Sequence, residues 1–290
     1  MDYHQTRFED FSLMVYRREQ LVALLPANRV GATLFSHQGL TYGGLLLKGN
    51  TKFRDVIAVF KSVLRFLEAE HMHTLELKLL PSIYAIQPND ELAYLLFLTE
   101  AKLMRRDALS VINMNSRPKI SRNRMEGVSR GQKHNLIIKE VDTFDEFWKE
   151  ILTVNLQQKH GAKPVHTLEE ISALKQNFPN QIRQFNVYHN DKIVAGTTIF
   201  ETERVAHSQY ISGNEAKNTL GSLDFLHWHL IEEVFKYKAF MDFGTSNENL
   251  GKNINSGLQY WKEGFGARTV VQDFYTVKTK NHTLLNTVML

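Results

Sequence analysis

The chain has 290 residues, 43% hydrophobic and 23% charged, with a net charge of +4 and a pI near 9.0. That length suits one large or two ordinary domains with a substantial buried core, and the basic balance is compatible with an anionic ligand without identifying one. The absence of cysteine excludes disulfide frameworks, thiolate metal sites and cysteine nucleophiles, leaving hydroxyl, imidazole, carboxylate or lysine chemistry.

No window approaches the ~18 consecutive apolar residues of a membrane span. The start, MDYHQTRFEDF, is polar and acidic where a secretory signal is basic and then apolar, so a cytoplasmic location is expected. In chain order, FEDFSLMVYRREQLVALLPA reads as a helix and GATLFSH as a strand. A turn and strand, QGLTYGGLLLKGN, follow, in which Gly43-Gly44 permits a bend. Lys52 to Glu70 is an amphipathic helix with Phe53, Val56, Ile57, Phe60, Val63, Leu64 and Leu67 on one face. TLELKLLP alternates as a strand, Glu91 to Arg105 reads as a helix or a helix and strand, and ALSVINM as a strand. The order is α/β or α+β in character.

SRPKISRNRMEGVSRGQKHN then sets Arg117, Lys119, Arg122, Arg124, Arg130 and Lys133 against Glu126 alone, a basic helix expected to join two halves. The gross order repeats after it: a strand (LIIKEV), helices (FDEFWKEILTVNLQQKH and TLEEISALKQNF), and a hairpin across His189-Asn190-Asp191-Lys192 into strands IVAGTTIFE and VAHSQYIS. A loop ending in Gly221-Ser222 leads to the helix LDFLHWHLIEEVFKY, where Ser222 reads as an N-cap and Leu223, Leu226, Leu230, Ile231, Val234 and Phe235 form the apolar face. A strand ending in MDFG, the loop TSNENLGKNINSG, the helix LQYWKEGFG and the strand VVQDFYTV complete the chain.

The helix start at Gly221 and Ser222 offers backbone N–H groups and a positive dipole end to an anion, which makes these two residues candidate donor-binding positions. Gly244, Ser246 and Asn247 follow a strand end, where open α/β sheets bind ligands. They are candidates to hydrogen-bond a sugar or peptide, though such residues also form turns. Strict alternation puts His207 and Tyr210 on opposite faces of their strand, so one of them, taken as Tyr210, faces a cleft. His207, His227 and His229 read as packed or surface histidines. His227 and His229 diverge on their helix, so no metal site is expected.

NTLGSLDFLHWHLIEE, FMDFG and GLQYWKEGFG, in this order of elements, resemble the C-terminal half of the FemAB-like branch of the GNAT acyltransferase superfamily, best over residues 185–277. The resemblance implies two GNAT-like α/β (α+β) domains in tandem, 1–134 and 135–290, each a mixed sheet flanked by helices, with a cleft between them. It also implies transfer of an acyl or aminoacyl group to an amine of a cell-envelope or polysaccharide precursor by direct attack in a ternary complex. Lys262 matches a lysine that lies near the reacting carbonyl in the family, where a fixed cation stabilises the developing oxyanion. Arg122 and Arg124 match an Arg-rich helix that can contact substrate phosphate, and GLTYGG matches a substrate-lining turn, which points to Tyr42 and Gly43.

The chain departs from the family in two places. LLLKG lacks the acidic residue proposed elsewhere as general base, leaving deprotonation by solvent as one route. GNEAKNTLGSL lacks the usual acetyl-CoA signature, so the co-substrate is either an acyl-CoA or an aminoacyl-tRNA. DNA is not an expected partner, because the basic stretch lacks interleaved aromatics. The rival reading is a catalytically silent module of the same fold that binds a nucleotide-sugar or phosphate ligand, with a metal-dependent hydrolase third.

Overall fold

A 17-residue helix, α1 (Phe53–Ala69), forms where the apolar period of the sequence puts it, and Val56, Ile57, Phe60, Val63, Leu64 and Leu67 are buried on one face. Phe53, at its first turn, is instead exposed. The computed structural model describes residues 7–289, apart from the side chains of residues 159 and 160. Before α1 lie β1 (Glu9–Asp10), β2 (Leu13–Arg17), β3 (Gln20–Leu25), β4 (Asn28–Val30), β5 (Thr33–Phe35) and β6 (Leu46–Leu47). The helix expected over residues 8–27 is therefore strands. LMVYR and QLVALL alternate in burial with the period of a hairpin, and Arg18 at the turn takes a positive φ of 54°.

After α1 come β7 (Thr74–Lys78), α2 (Glu91–Leu98), β8 (Lys102–Asn113) and α3 (Arg122–Lys133), capped by Ser121. Next are β9 (Ile137–Val141), a π-helical turn at Phe147–Leu152 running into α4 (Thr153–His160), and α5 (Leu168–Asn177) with a Thr167/Glu170 capping box. β10 (Ile182–His189), β11 (Lys192–Glu201) and β12 (Val205–Gly213) form a meander. α6 (Lys217–Leu220) and α7 (Ser222–His229), the latter continuing as a π-helix to Val234, lead to β13 (Phe240–Thr245), the small ribbon β14 (Asn247–Glu248) and β15 (Asn253–Ile254), α8 (Ser256–Glu263) and β16 (Arg268–Lys278).

The chain divides into two units: one of residues up to Asp107 with Asn249–Gly251 and the stretch from Val271, the other of Ala108–Glu248 and Lys252–Val270. The sheet order within the first is β1-β4-β5-β7-β16, and within the second β10-β11-β12-β13-β8, with β9 outside β10. Both runs read antiparallel, antiparallel, parallel, antiparallel. The repeated element order of the sequence is thus a repeated sheet topology, and a helical crossover joins the parallel strands of each, α1 in the first and α6–α7 in the second. A linear cut at 134/135 does not follow this division. β16 completes the first sheet on β7 and β8 completes the second on β13, so each sheet takes its last strand from the other half of the chain. The basic helix α3 belongs wholly to the second unit.

Each unit has its own core. In the first, α1 packs over Leu34, Leu75, Leu77 and Val277; in the second, Leu226, Leu230, Ile231 and Phe235 of the α7 helix cover Ile112, Ile199, Ala206, Met241 and Phe243. The apolar face read for this helix is the buried one, with Leu223 and Val234 at its margin.

Candidate active site

β12 and β13 pair in parallel through Val205–Phe240, Ala206–Met241 and His207–Asp242, and there the pairing ends. β12 stays on β11 as far as Gly213, whereas β13 stays on β8 as far as Thr245. Two neighbouring parallel strands that part in mid-sheet leave backbone groups without a ladder partner, an opening where a ligand chain can sit. Polar side chains collect at this fork.

His207 and Asp242 form its last cross-strand pair. Nδ1 of His207 lies 2.9 Å from Oδ2 of Asp242, and the Gly244 amide donates to Oδ1 at 2.7 Å; both side chains are buried. Gly244 takes a left-handed φ of 66°, and a Cβ there would lie 3.4 Å from the His207 ring. The left-handed φ, not the space beside the ring, is what favours glycine at this position.

Lys262, in the last turn of α8, reaches the same strand end. It is 2% exposed, and Nζ donates to the carbonyls of Gly244 at 3.1 Å and Thr245 at 2.8 Å. Burial lowers its pKa to about 8 against the opposing pull of the Asp242 carboxylate. An ammonium has three donors and two are used here. Ser246, next along, is buried with its Oγ unpartnered, as are Ser208 Oγ on β12 and His227 Nε2 on α7. Asn247 instead serves the chain: its Oδ1 accepts from the Ala108 amide at 2.7 Å and from Thr245 Oγ1 at 2.7 Å.

Tyr210 lies on the same face of β12 as His207. Ile199 pairs with Ser208 and Thr198 with Tyr210, so Gln209 is bulged out and the alternation slips by one residue. The opposite-face expectation fails for that reason. The Tyr210 hydroxyl accepts from the His166 amide at 3.1 Å and lies 2.7 Å from His166 Nδ1, and its ring meets Trp148 edge-on at 5.0 Å. It ties the loop before α5 to the sheet.

The start of α7 packs closely against α3. Gly221 joins α6 to α7 with a φ of 67°, and a Cβ there would lie 2.0 Å from the Gly127 carbonyl oxygen of α3. Gly127 in turn lies against the Asp224 carboxylate, and Gly131 against Phe225. Two helices meet through three glycines, so the side of Gly221 that a Cβ would occupy is filled by α3. Ser222 lies inside the helix rather than capping it, 0% exposed and with Oγ unpartnered. Asp224 Oδ1 accepts from Arg124 Nη1 at 2.7 Å and Trp261 Nε1 at 2.8 Å; burial raises the carboxyl pKa, and Arg124 and Trp261 oppose that shift. Arg124 is thus bound up in a largely buried ion pair, whereas Arg122 stands 93% exposed beside Glu126.

Tyr42 and Gly43 belong to the first unit. The rings of Tyr42 and Tyr84 lie 4.3 Å apart, and Gly43 bridges to Leu79, where a Cβ would lie 2.4 Å from the Ser36 carbonyl oxygen. Among the described residues no group of three or more His, Asp and Glu is placed to hold a metal, and no helix is long and apolar enough to cross a membrane. The His207–Asp242 pair is what sequence reasoning missed. Its one signal is that both residues stand third in their strands, at VAH and FMD, which has meaning only once the strands are known to pair in register.

The family model of the acetyltransferase (GNAT) domain matches residues 114–262, and the chain belongs to that family. No curated protein matches it. Among solved structures, FemX superimposes with a TM-score of 0.65 at 9% identity, covering 97% of this chain and 91% of that one. The C-terminal domain of a putative lysylphosphatidylglycerol synthetase from Agrobacterium fabrum gives 0.63 at 10% identity, covering 92% and 83%. A tandem GNAT protein from the clavulanic acid biosynthesis pathway gives 0.53 at 14%, covering 92% and 82%. At these identities the likeness is one of fold. The molecule is a mixed-sheet α/β protein of tandem GNAT fold, and the family to which it belongs is one of acyltransferases.

Proposed function

We propose that the chain transfers an acyl or aminoacyl group from an activated donor to an amine of a cell-envelope or polysaccharide precursor, by direct attack in a ternary complex. The observation that carries this reading is the fork after His207 and Asp242, with the buried Lys262 ammonium at its end. Attack of an amine on an acyl carbon develops negative charge on the acyl oxygen. The third N–H of Lys262 is available to that oxygen in a site from which water is largely excluded, where a fixed charge acts most strongly.

The donor is an acyl-CoA or an aminoacyl-tRNA. The name of the putative lysylphosphatidylglycerol synthetase supports an envelope acceptor. Arg122, Tyr42 and Gly43 are proposed acceptor contacts.

The test is transfer from acetyl-CoA and from total aminoacyl-tRNA to amine-bearing envelope precursors, comparing the parent with Lys262→Met. An oxyanion role predicts a kcat loss of ~10²-fold or more with little change in donor affinity. An unchanged kcat rules the role out.

A further inference from the structure

We propose that His207 is the general base of the transfer and that Asp242 is its positioning residue; this rests on the acyl-transfer reading above. The geometry has three parts. Asp242 accepts from the Gly244 amide through Oδ1, which turns Oδ2 to His207 Nδ1 at 2.9 Å. A carboxylate only accepts, so Nδ1 carries the proton and the lone pair resides on Nε2. Nε2 makes no hydrogen bond among the described residues, yet it is not one of the sealed, unpartnered atoms. The basic nitrogen is thus open to an incoming group while the rest of the ring is buried.

Position supports the role. His207 is the last residue of β12 before the strands part, and the carbonyl of Gly244, whose Cα lies against the ring, binds the Lys262 ammonium. Base and cation therefore flank the same strand end, as attack on an acyl carbon requires. The acceptor nitrogen, as the free amine, forms the new N–C bond as the thioester C–S bond or ester C–O bond breaks. Its proton passes to Nε2, and the imidazolium, held by Asp242, returns that proton to the departing sulfur or oxygen. No oxidant or metal enters the balance.

The first measurement is the tautomer of His207 by long-range ¹H–¹⁵N correlation in ¹⁵N-histidine-labelled protein, assigned with His207→Gln. The expected result is a proton on Nδ1 and a bare Nε2, an assignment that Asp242→Asn weakens by removing the anionic acceptor. The second compares His207→Gln with the parent in transfer from acetyl-CoA to a panel of primary amines. The kcat for transfer should fall by ~10²-fold or more, the usual range for general-base catalysis, with KM within a few-fold of the parent. A proton on Nε2, or undiminished amine transfer in His207→Gln, overturns the proposal. If the parent transfers to no amine, the acyl-transfer reading fails for that donor, and the tautomer alone decides the pair.

Discussion

Lys262 offers a sharp test of the site's electrostatics because its burial has a consequence for stability that can be read without any substrate. The folded protein holds its ammonium at a pKa of about 8 against 10.5 for the free side chain. Between those values the unfolded chain binds a proton that the folded chain does not, so stability rises with pH at up to ~1.4 kcal/mol per unit. Over the whole window the gain reaches ~3 kcal/mol, less whatever the two carbonyls recover by favouring the charged form. Lys262→Met keeps most of the volume and removes the titration.

At neutral pH the substitution relieves a buried charge but leaves the Gly244 and Thr245 carbonyls without their donor, at ~1–3 kcal/mol each, so the two effects largely oppose. The pH dependence is the clean signal. Urea unfolding of parent and variant from pH 7 to 10.5 should show the parent gaining ~3 kcal/mol on the variant as pH rises. A difference that is flat, or that falls, refutes the account of a desolvated ammonium at the strand end.

Burial holds His227 at a pKa of about 4, below its ordinary 6.5, so it contributes stability above pH 6.5 that is lost as pH falls towards 4. His227→Phe should flatten that slope in urea titrations. Gly127→Ala places a methyl 1.8 Å from the Asp224 carboxylate and should cost more than ~3 kcal/mol or move α3 off α7, seen as a fall in Tm. Arg124→Ala strands Asp224 inside the protein and should cost ~3–5 kcal/mol, whereas Arg122→Ala, at a 93% exposed side chain, should change stability by less than ~0.5 kcal/mol. If Arg122 contacts an anionic acceptor, the same variant weakens acceptor binding and flattens its salt dependence; an unchanged salt slope leaves it a solvated side chain.

Local periodicity was enough for α1, α3, α7 and α8 and for strands β7 and β9 to β13, because amphipathic spacing and capping residues act within a few positions of chain. It was not enough for residues 8–27, where apolar residues fit both a helical face and a hairpin, and only pairing across Arg18 separates the two. The family resemblance singles out the MDFG and QYWKEGFG phrases, and the structure brings Asp242, Gly244 and Lys262 of those phrases to one strand end. Lys262 is marked in the sequence by the family resemblance alone, and its burial follows only from the seating of α8 against β13, since burial depends on what covers a residue and not on its neighbours in sequence.

Three decisions came from tertiary structure. The bulge at Gln209 put His207 and Tyr210 on one face, because a single extra residue reverses a two-residue period. The parallel register of β12 and β13 set His207 against Asp242 across 35 positions of chain, a juxtaposition that no local pattern encodes. The exchange of β8 and β16 fixed which residues belong to which sheet. Strand propensity says that a segment pairs, whereas its partner is chosen by the backbone groups left open on another strand and by the apolar face the pairing buries.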